Sequence, residues 1–314
     1  MKKLILNIIK NFLGYAFFLY LKYFEKKNIA FLFHDITNTP SNYSKENNIF
    51  LYKKTFSKII NHIEKNYKII NPKTLQNNII NKNYALITFD DGYKSFIKNA
   101  IPILYKKKIP CLIFLNGEVV SKNKENINAI INFFSKRKDF QIFMKKKNIL
   151  KPYYLNVNID IIRDFYKLKK FKANQYKNKI KYYQGKFLDF YDLKYLDKIP
   201  NIYFGNHLYN HWNLISLKEK QIINNFNLNK NFLKQFDSYI NFFAIPNGKV
   251  MKSYNEKVLR ILKKCKPKKI FSSNNYVDKN FNSYEIDRVS LEKIDKNIYY
   301  IYFKILKSRL IKII

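Results

Sequence analysis

Short apolar runs recur along the chain and alternate with stretches whose apolar residues fall at helical spacing. Asn28 to Phe33, Pro110 to Leu115, Asn201 to Phe204, Tyr239 to Ile245 and Lys269 to Ser272 are dominated by aliphatic and aromatic residues. They are short enough to predict buried strands. Tyr67 to Ile70 reads as a further short strand or turn, and Glu285 to Leu291 as the last extended segment. Between them, Thr55 to Lys65 places Phe56, Ile59, Ile60 and Ile63 on one helical face. His62 falls off that face and is expected at the solvated surface. Tyr93 to Lys107 repeats the pattern with Phe96, Ile97, Ala100, Ile101 and Leu104. Asn126 to Ser135, Asp160 to Lys169 and Tyr254 to Lys264 are further predicted helices. Ser216-Leu217-Lys218-Glu219 predicts a capping box that opens another, to about Phe236. Such alternation predicts an α/β fold built from βαβ units.

The centre of the pattern is Asn83 to Tyr93, an apolar strand that ends in Asp90-Asp91-Gly92. Two carboxylates at the end of a parallel strand sit where α/β sheets place their chemistry. Taken alone, Asp-Asp-Gly reads as a turn. A second stretch changes the balance. Phe204 to His211 holds His207 and His211, two of the four histidines, four residues apart. On a helical turn that spacing would put both imidazoles on one face. One carboxylate and two histidines suffice to hold zinc or a similar divalent ion with positions open for water and substrate.

Length allows a sizeable core: 314 residues, 47% hydrophobic and 18% aromatic. Cys111 and Cys265 do not form a disulfide framework, and Cys111 falls in a predicted strand. The formal net charge is +38, which directs attention to polyanions. The lysines are spread over the whole chain beside abundant Asn, Ile, Tyr and Phe, all of which have A/T-rich codons. Base composition accounts for them, and no nucleic-acid-reading motif accompanies them.

Residues 1–27 are apolar with lysine flanks, but the uninterrupted apolar part falls short of the roughly 20 residues that span a bilayer. No small-residue cleavage site follows. The segment is expected either to lie in a membrane interface or to pack as a helix on the domain. Residues 296–314, apolar and basic, pose the same choice. The region between, 28–295, reads as one catalytic domain, with a Lys- and Asn-rich helical insertion at about 121–200 that carries no recognisable chemistry. The absence of an export signal places the chain, as an expectation, in the cytoplasm at the inner face of the membrane.

The strings LITFDDGY, GNHLYNHWNLISL and FFAIPNGK, in that order, resemble the polysaccharide deacetylases of carbohydrate esterase family 4, whose shared region is called the NodB homology domain. FLFHDI resembles the Tyr-His-Asp entry of a subgroup acting on exopolysaccharide or surface glycans, with Phe33 for the tyrosine. The resemblance runs from about Ile29 to Leu291. It implies a distorted (β/α) barrel and a metal-dependent hydrolase that removes N-acetyl or O-acetyl groups from a surface polysaccharide or lipid-linked glycan. By position, Asp90 would be the general base, and Asp91, His207 and His211 the ligands of a divalent ion, zinc before cobalt or nickel. An N–H near Asn247 would stabilise the oxyanion.

The sequence also departs from the family. No histidine lies beyond His211 to protonate the leaving amine, and the resemblance to the Tyr-His-Asp subgroup assigns that role to His34. Leu208 replaces a usual Ser or Thr, removing a hydroxyl from beside the metal ligands. Ala244 stands where many members carry an arginine that orients the catalytic Asp, Ile245 replaces a tyrosine, and Arg288 is a substitute that only space can decide. The alternative these departures raise is a glycan-binding relative without hydrolysis.

Overall fold

In a computed structural model the chain is described over residues 2–25, 27–76, 83–168, 175–277, 281–292 and 297–313. Among these residues nine strands form one sheet: β1 (Ile29–Phe33), β2 (Lys68–Ile69), β3 (Tyr84–Asp90), β4 (Cys111–Leu115), β5 (Ile202–Asn206), β6 (Tyr239–Ala244), β7 (Lys269–Phe271), β8 (Glu285–Ile286) and β9 (Arg288–Ser290). Their order is β8-β7-β6-β5-β4-β3-β1-β9, with β2 also on β3, and every pair is parallel. The edge strands β8 and β9 are consecutive in the chain with only Asp287 between them, so the sheet curls into a nearly closed barrel. This is the distorted (β/α) barrel expected.

Strand periodicity sorts the core into two layers. Ile29, Phe31, Phe33, Ala85, Ile87, Phe89, Ile113 and Val289 face outward to the helices. Ala30, Leu86, Leu112, Phe114, Phe242, Ala244 and Phe271 fill the barrel. The outer layer is covered by α1 (Lys2–Tyr23), α2 (Lys53–Asn66) and, at the far end of the chain, α5 (Ile298–Ile313). Two further helices matter for the site, α3 (Ile127–Ser135) and α4 (Glu219–Leu233).

Several expectations change. The helix after Asp91 begins as a π-helical turn, Phe96–Ala100, and becomes α-helical only over Ile101–Lys106; Pro102, at its start, has no N–H to donate. The capping box slides by two residues. Ser216 ends a 3₁₀ turn and donates to the Asn213 carbonyl, and α4 starts after Lys218, whose backbone N–H donates to Gln221. His62 is half-buried rather than freely solvated: its Nε2 lies 2.9 Å from the Tyr302 hydroxyl and its ring packs on Phe18. The insertion holds more helices than expected, among them Lys138–Lys146 and Lys177–Gln184, around an aromatic core of Phe134, Phe140 and Phe165 that Trp212, just after His211, joins. Finally, Leu4–Tyr23 is long and apolar enough to cross a membrane by length and composition, yet Phe17, Phe18 and Leu21 are buried in the barrel's outer core.

Candidate metal and catalytic site

Along β3 the alternation that turns Ile87 and Phe89 outward turns Thr88 and Asp90 into the barrel. Asp91 then takes left-handed backbone (φ 70°), followed by Gly92 (φ 75°). For a non-glycine residue that conformation is uncommon and concentrates at functional sites. It gives the two neighbouring carboxylates different partners, Arg288 for Asp90 and His211 for Asp91, with His207 Nε2 3.7 Å from an oxygen of each.

The histidine pair is not carried on a helical turn. Residues 207–211 form a loop in which Leu208 (φ 63°) and His211 (φ 56°) are both left-handed, and this double reversal brings the rings together. Nε2 of His211 is 3.1 Å from Nε2 of His207 and 3.1 Å from Oδ1 of Asp91. His207 Nε2 is 3.7 Å from that same Oδ1. All three residues are buried, and their ligand atoms lie within 4.8 Å of one another. This cluster can hold a metal ion.

The surroundings fit one. Nδ1 of His207 is 2.8 Å from the Ala244 carbonyl, an acceptor only, so Nδ1 carries the proton and Nε2 the lone pair. Next to His211, the Asn128 amide nitrogen lies 3.0 Å from Nδ1 and 3.3 Å from Asn247 Oδ1, while Asn128 Oδ1 and Asn247 Nδ2 are buried without partners. Exchanging O and N in both amides matches the contacting atoms as donor and acceptor. Asn128 Oδ1 then accepts from His211 Nδ1–H and from Asn247, and Nε2 of His211 becomes a second lone pair. Two imidazole lone pairs and a carboxylate oxygen then converge, a donor set that suits a divalent cation.

Arg288 supplies what Ala244 cannot. It reaches Asp90 from β9, with Nη1 donating to Oδ1 at 2.7 Å and Nη2 to Oδ2 at 2.9 Å. Its own position is fixed by Nε donating to the Ser272 carbonyl and by stacking over Phe114. Burial alone would raise the Asp90 carboxyl, but Arg288 and His207 outweigh it and hold it below the usual carboxylate range. Asp91 is likewise held well below that range, by His211 above all, against the opposing effect of burial. Burial pushes His207 down to about 4. Both carboxylates are therefore ionised and His207 neutral at physiological pH, the protonation state that metal ligation requires.

At Leu208 the missing hydroxyl is offset through the backbone. Leu208 itself is buried among apolar residues. Asn116 donates to the carbonyls of His207 and Leu208, and Asn206 Oδ1 accepts from the Leu208 N–H at 2.9 Å. Asn229 on α4 donates to that same oxygen at 2.7 Å. Three buried carboxamides thus hold the loop that carries the histidines.

His34 and Asn247 complete the arrangement. Both line one cavity of about 450 Å³ with Asp90, Asp91, His207 and His211. The Nδ1 atom of His34 is buried without a partner. Asn247 is left-handed (φ 62°), as is Gly248, where a Cβ would lie 2.3 Å from the Ser273 hydroxyl, so the turn requires glycine. All six predicted site residues therefore meet. Sequence reasoning missed Asn128, and also Tyr43 and Tyr154 in the cavity wall. Asn128 lies in the insertion read as chemically silent, and one Asn among many gives no signal.

The comparisons with known proteins converge on one class, the polysaccharide deacetylases, as what this chain is similar to. A family model described as polysaccharide deacetylase matches residues 77–133, which include Asp90 and Asp91. No curated protein matches the sequence. Among solved structures, IcaB from Ammonifex degensii superposes with a TM-score of 0.57 at 14% identity, over 89% of this chain and 97% of that one. A de-N-acetylase from Aggregatibacter actinomycetemcomitans gives 0.55 at 10% identity, over 89% and 100%. The polysaccharide deacetylase BC0361 from Bacillus cereus gives 0.54 at 13% identity, over 88% and 69%. At such identities these likenesses speak for the fold. With the matched segment, they bear out the family resemblance read from the three sequence strings.

Proposed function

We propose that this chain is a metal-dependent hydrolase that removes N-acetyl, or O-acetyl, groups from a surface polysaccharide or lipid-linked glycan. The observation that carries the reading is the meeting of Asp91, His207 and His211 beside an arginine-held Asp90 in one cavity. Asp91, His207 and His211 would hold the ion, and two imidazoles with one carboxylate suit zinc, with cobalt or nickel also accommodated. When bound, a divalent ion supplies Lewis acidity to the acetyl carbonyl and makes water acidic enough to be a nucleophile at neutral pH.

The chain's own groups do the rest. Asp90, ionised and oriented by Arg288, accepts the proton of the attacking water. An N–H near Asn247, which lines the same cavity, would meet the developing oxyanion. His34, with no competing hydrogen bond at Nδ1, delivers a proton to the leaving amine as the C–N bond breaks.

Two measurements test this. After exhaustive dialysis, the wild type should retain about one divalent ion per chain and His207→Ala none. Acetate release from N-acetylated hexosamine oligomers should be seen with the wild type and not with Asp90→Asn. Metal retention without acetate release would support a glycan-binding relative instead. Absence of metal from the wild type would overturn the metal centre itself.

A further inference from the structure

The first helix is two different surfaces end to end. Its second half is docked: Phe17, Phe18 and Leu21 are buried, and Gly14 meets α5 so closely that a Cβ there would fall 1.9 Å from the Tyr299 carbonyl oxygen. Among the described residues its first half has no such cover over its apolar side chains. Leu4, Ile5, Leu6, Ile8, Ile9, Phe12 and Leu13 all keep between 41% and 69% of their surface exposed. The polar residues there, Asn7, Lys10 and Asn11, sit at i, i+3 and i+4 and continue the stripe that ends at Gly14. The apolar side chains occupy the remaining, larger arc of the helix.

Direction can be read from three contacts along α5. Arg309 pairs with Glu25, just before the amino end of β1. Lys304 donates to the carbonyl of Ser290, at the carboxyl end of β9. Tyr299 lies further along the same line, against Gly14. The free half of α1 therefore runs out beyond the carboxyl ends of the strands, the end of the barrel that bears Asp90, Asp91, His207 and His211.

We propose that residues 4–13 insert into one leaflet of an anionic bilayer and hold the cavity mouth towards the lipid surface. Ten helical residues measure about 15 Å, half of the roughly 30 Å hydrocarbon core. The docked half is occupied by protein, so residues 4–13 are the part of α1 left to enter the lipid. A net charge of +38 supplies the complementarity to acidic headgroups. The membrane seat is independent of the chemistry proposed above. Its consequence, that the acetylated glycan is presented on a lipid carrier, rests on that reading.

The test uses the full chain and no catalytic readout. It should co-sediment with vesicles of phosphatidylcholine containing about one third phosphatidylglycerol. Ile9→Glu combined with Phe12→Glu should lower partitioning at least tenfold. Leu310→Glu, an equally exposed apolar position at the other end of α5, should leave it unchanged. Binding that vanishes for the wild type at about 0.5 M salt would reduce the contact to surface charge and overturn insertion. Equal losses for the α1 and Leu310 variants would overturn the assignment to α1. Self-association without vesicles, abolished by the α1 variants, would assign the face to a second copy instead. For orientation, a fluorophore at Lys252→Cys, on the cavity rim, should transfer energy to headgroup-labelled lipid more efficiently than one at Lys68→Cys, at the strands' amino ends. The reverse order would overturn the proposed facing.

Discussion

Arg288 grips both carboxylate oxygens of Asp90 across 198 residues of sequence, at 2.7 and 2.9 Å, with neither side chain exposed by more than 4%. The pair joins β3 to β9, which both flank β1 and direct these residues into the barrel. An arginine fork matches a carboxylate in a way that a lysine does not.

Arg288→Lys should keep the metal while lowering kcat about 100-fold, because the Asp90 carboxylate loses its fixed plane. Arg288→Met should also destabilise the fold by about 3–5 kcal/mol, since an unpaired buried carboxylate remains. Metal content, turnover and urea midpoints measured on the same preparations check both. Unchanged turnover in Arg288→Lys would remove Arg288 from the orienting role.

Asn128 tests the insertion's part in the site. Its amide holds His211 through Nδ1, so Asn128→Ala should weaken metal binding roughly 10- to 100-fold without abolishing it. Competition against a chromophoric chelator measures this directly. His207→Ala, which removes a ligand, should show no measurable binding in the same assay.

Leu208→Ser restores the residue type that the family resemblance leads one to expect, and it should not help. The loop backbone is already held by Asn116 and Asn206, while the leucine fills an apolar pocket. A loss of about 2–5 kcal/mol in stability is expected, with no gain in metal affinity. A tighter site in this variant would show that the hydroxyl's absence was a defect.

His62 makes the docking of the terminal helices sensitive to acid. Burial lowers its pKa from 6.5 to about 4. The folded state therefore holds it neutral, while the unfolded state gains a proton below pH 6.5. Stability conferred by the neutral ring is complete above pH 6.5 and lost as pH falls towards 4. After allowance for partial exposure, the loss is about 1–2 kcal/mol. His62→Gln should flatten that part of the pH profile of the urea midpoint. A profile parallel to the wild type would refute it.

Local features carried what the sequence could show. Apolar runs and helical spacing placed β1, β3, β4, β6 and α2 close to their bounds, because burial on a sheet or helix face depends on nearby residues. The Asp-Asp-Gly and His-x-x-x-His strings named the Asp91, His207 and His211 cluster, because its donors come from two short, recognisable stretches. The helical turn predicted for the histidines failed because two left-handed residues, Leu208 and His211, leave no mark in residue type. His62 was misplaced because the residues that cover it, Phe18 and Tyr302, are distant in sequence.

By itself, then, the sequence determined the α/β class, the strand that ends in the paired carboxylates, and the donor types for a metal. The tertiary structure alone decided that Arg288 replaces the arginine missing at Ala244, that Asn128 of the insertion steadies His211, and that α1 is half docked and half bare. The physical reason is the same in each case. These relationships depend on which side chains barrel closure and helix packing bring within hydrogen-bond or van der Waals reach, and such pairings have no period along the chain.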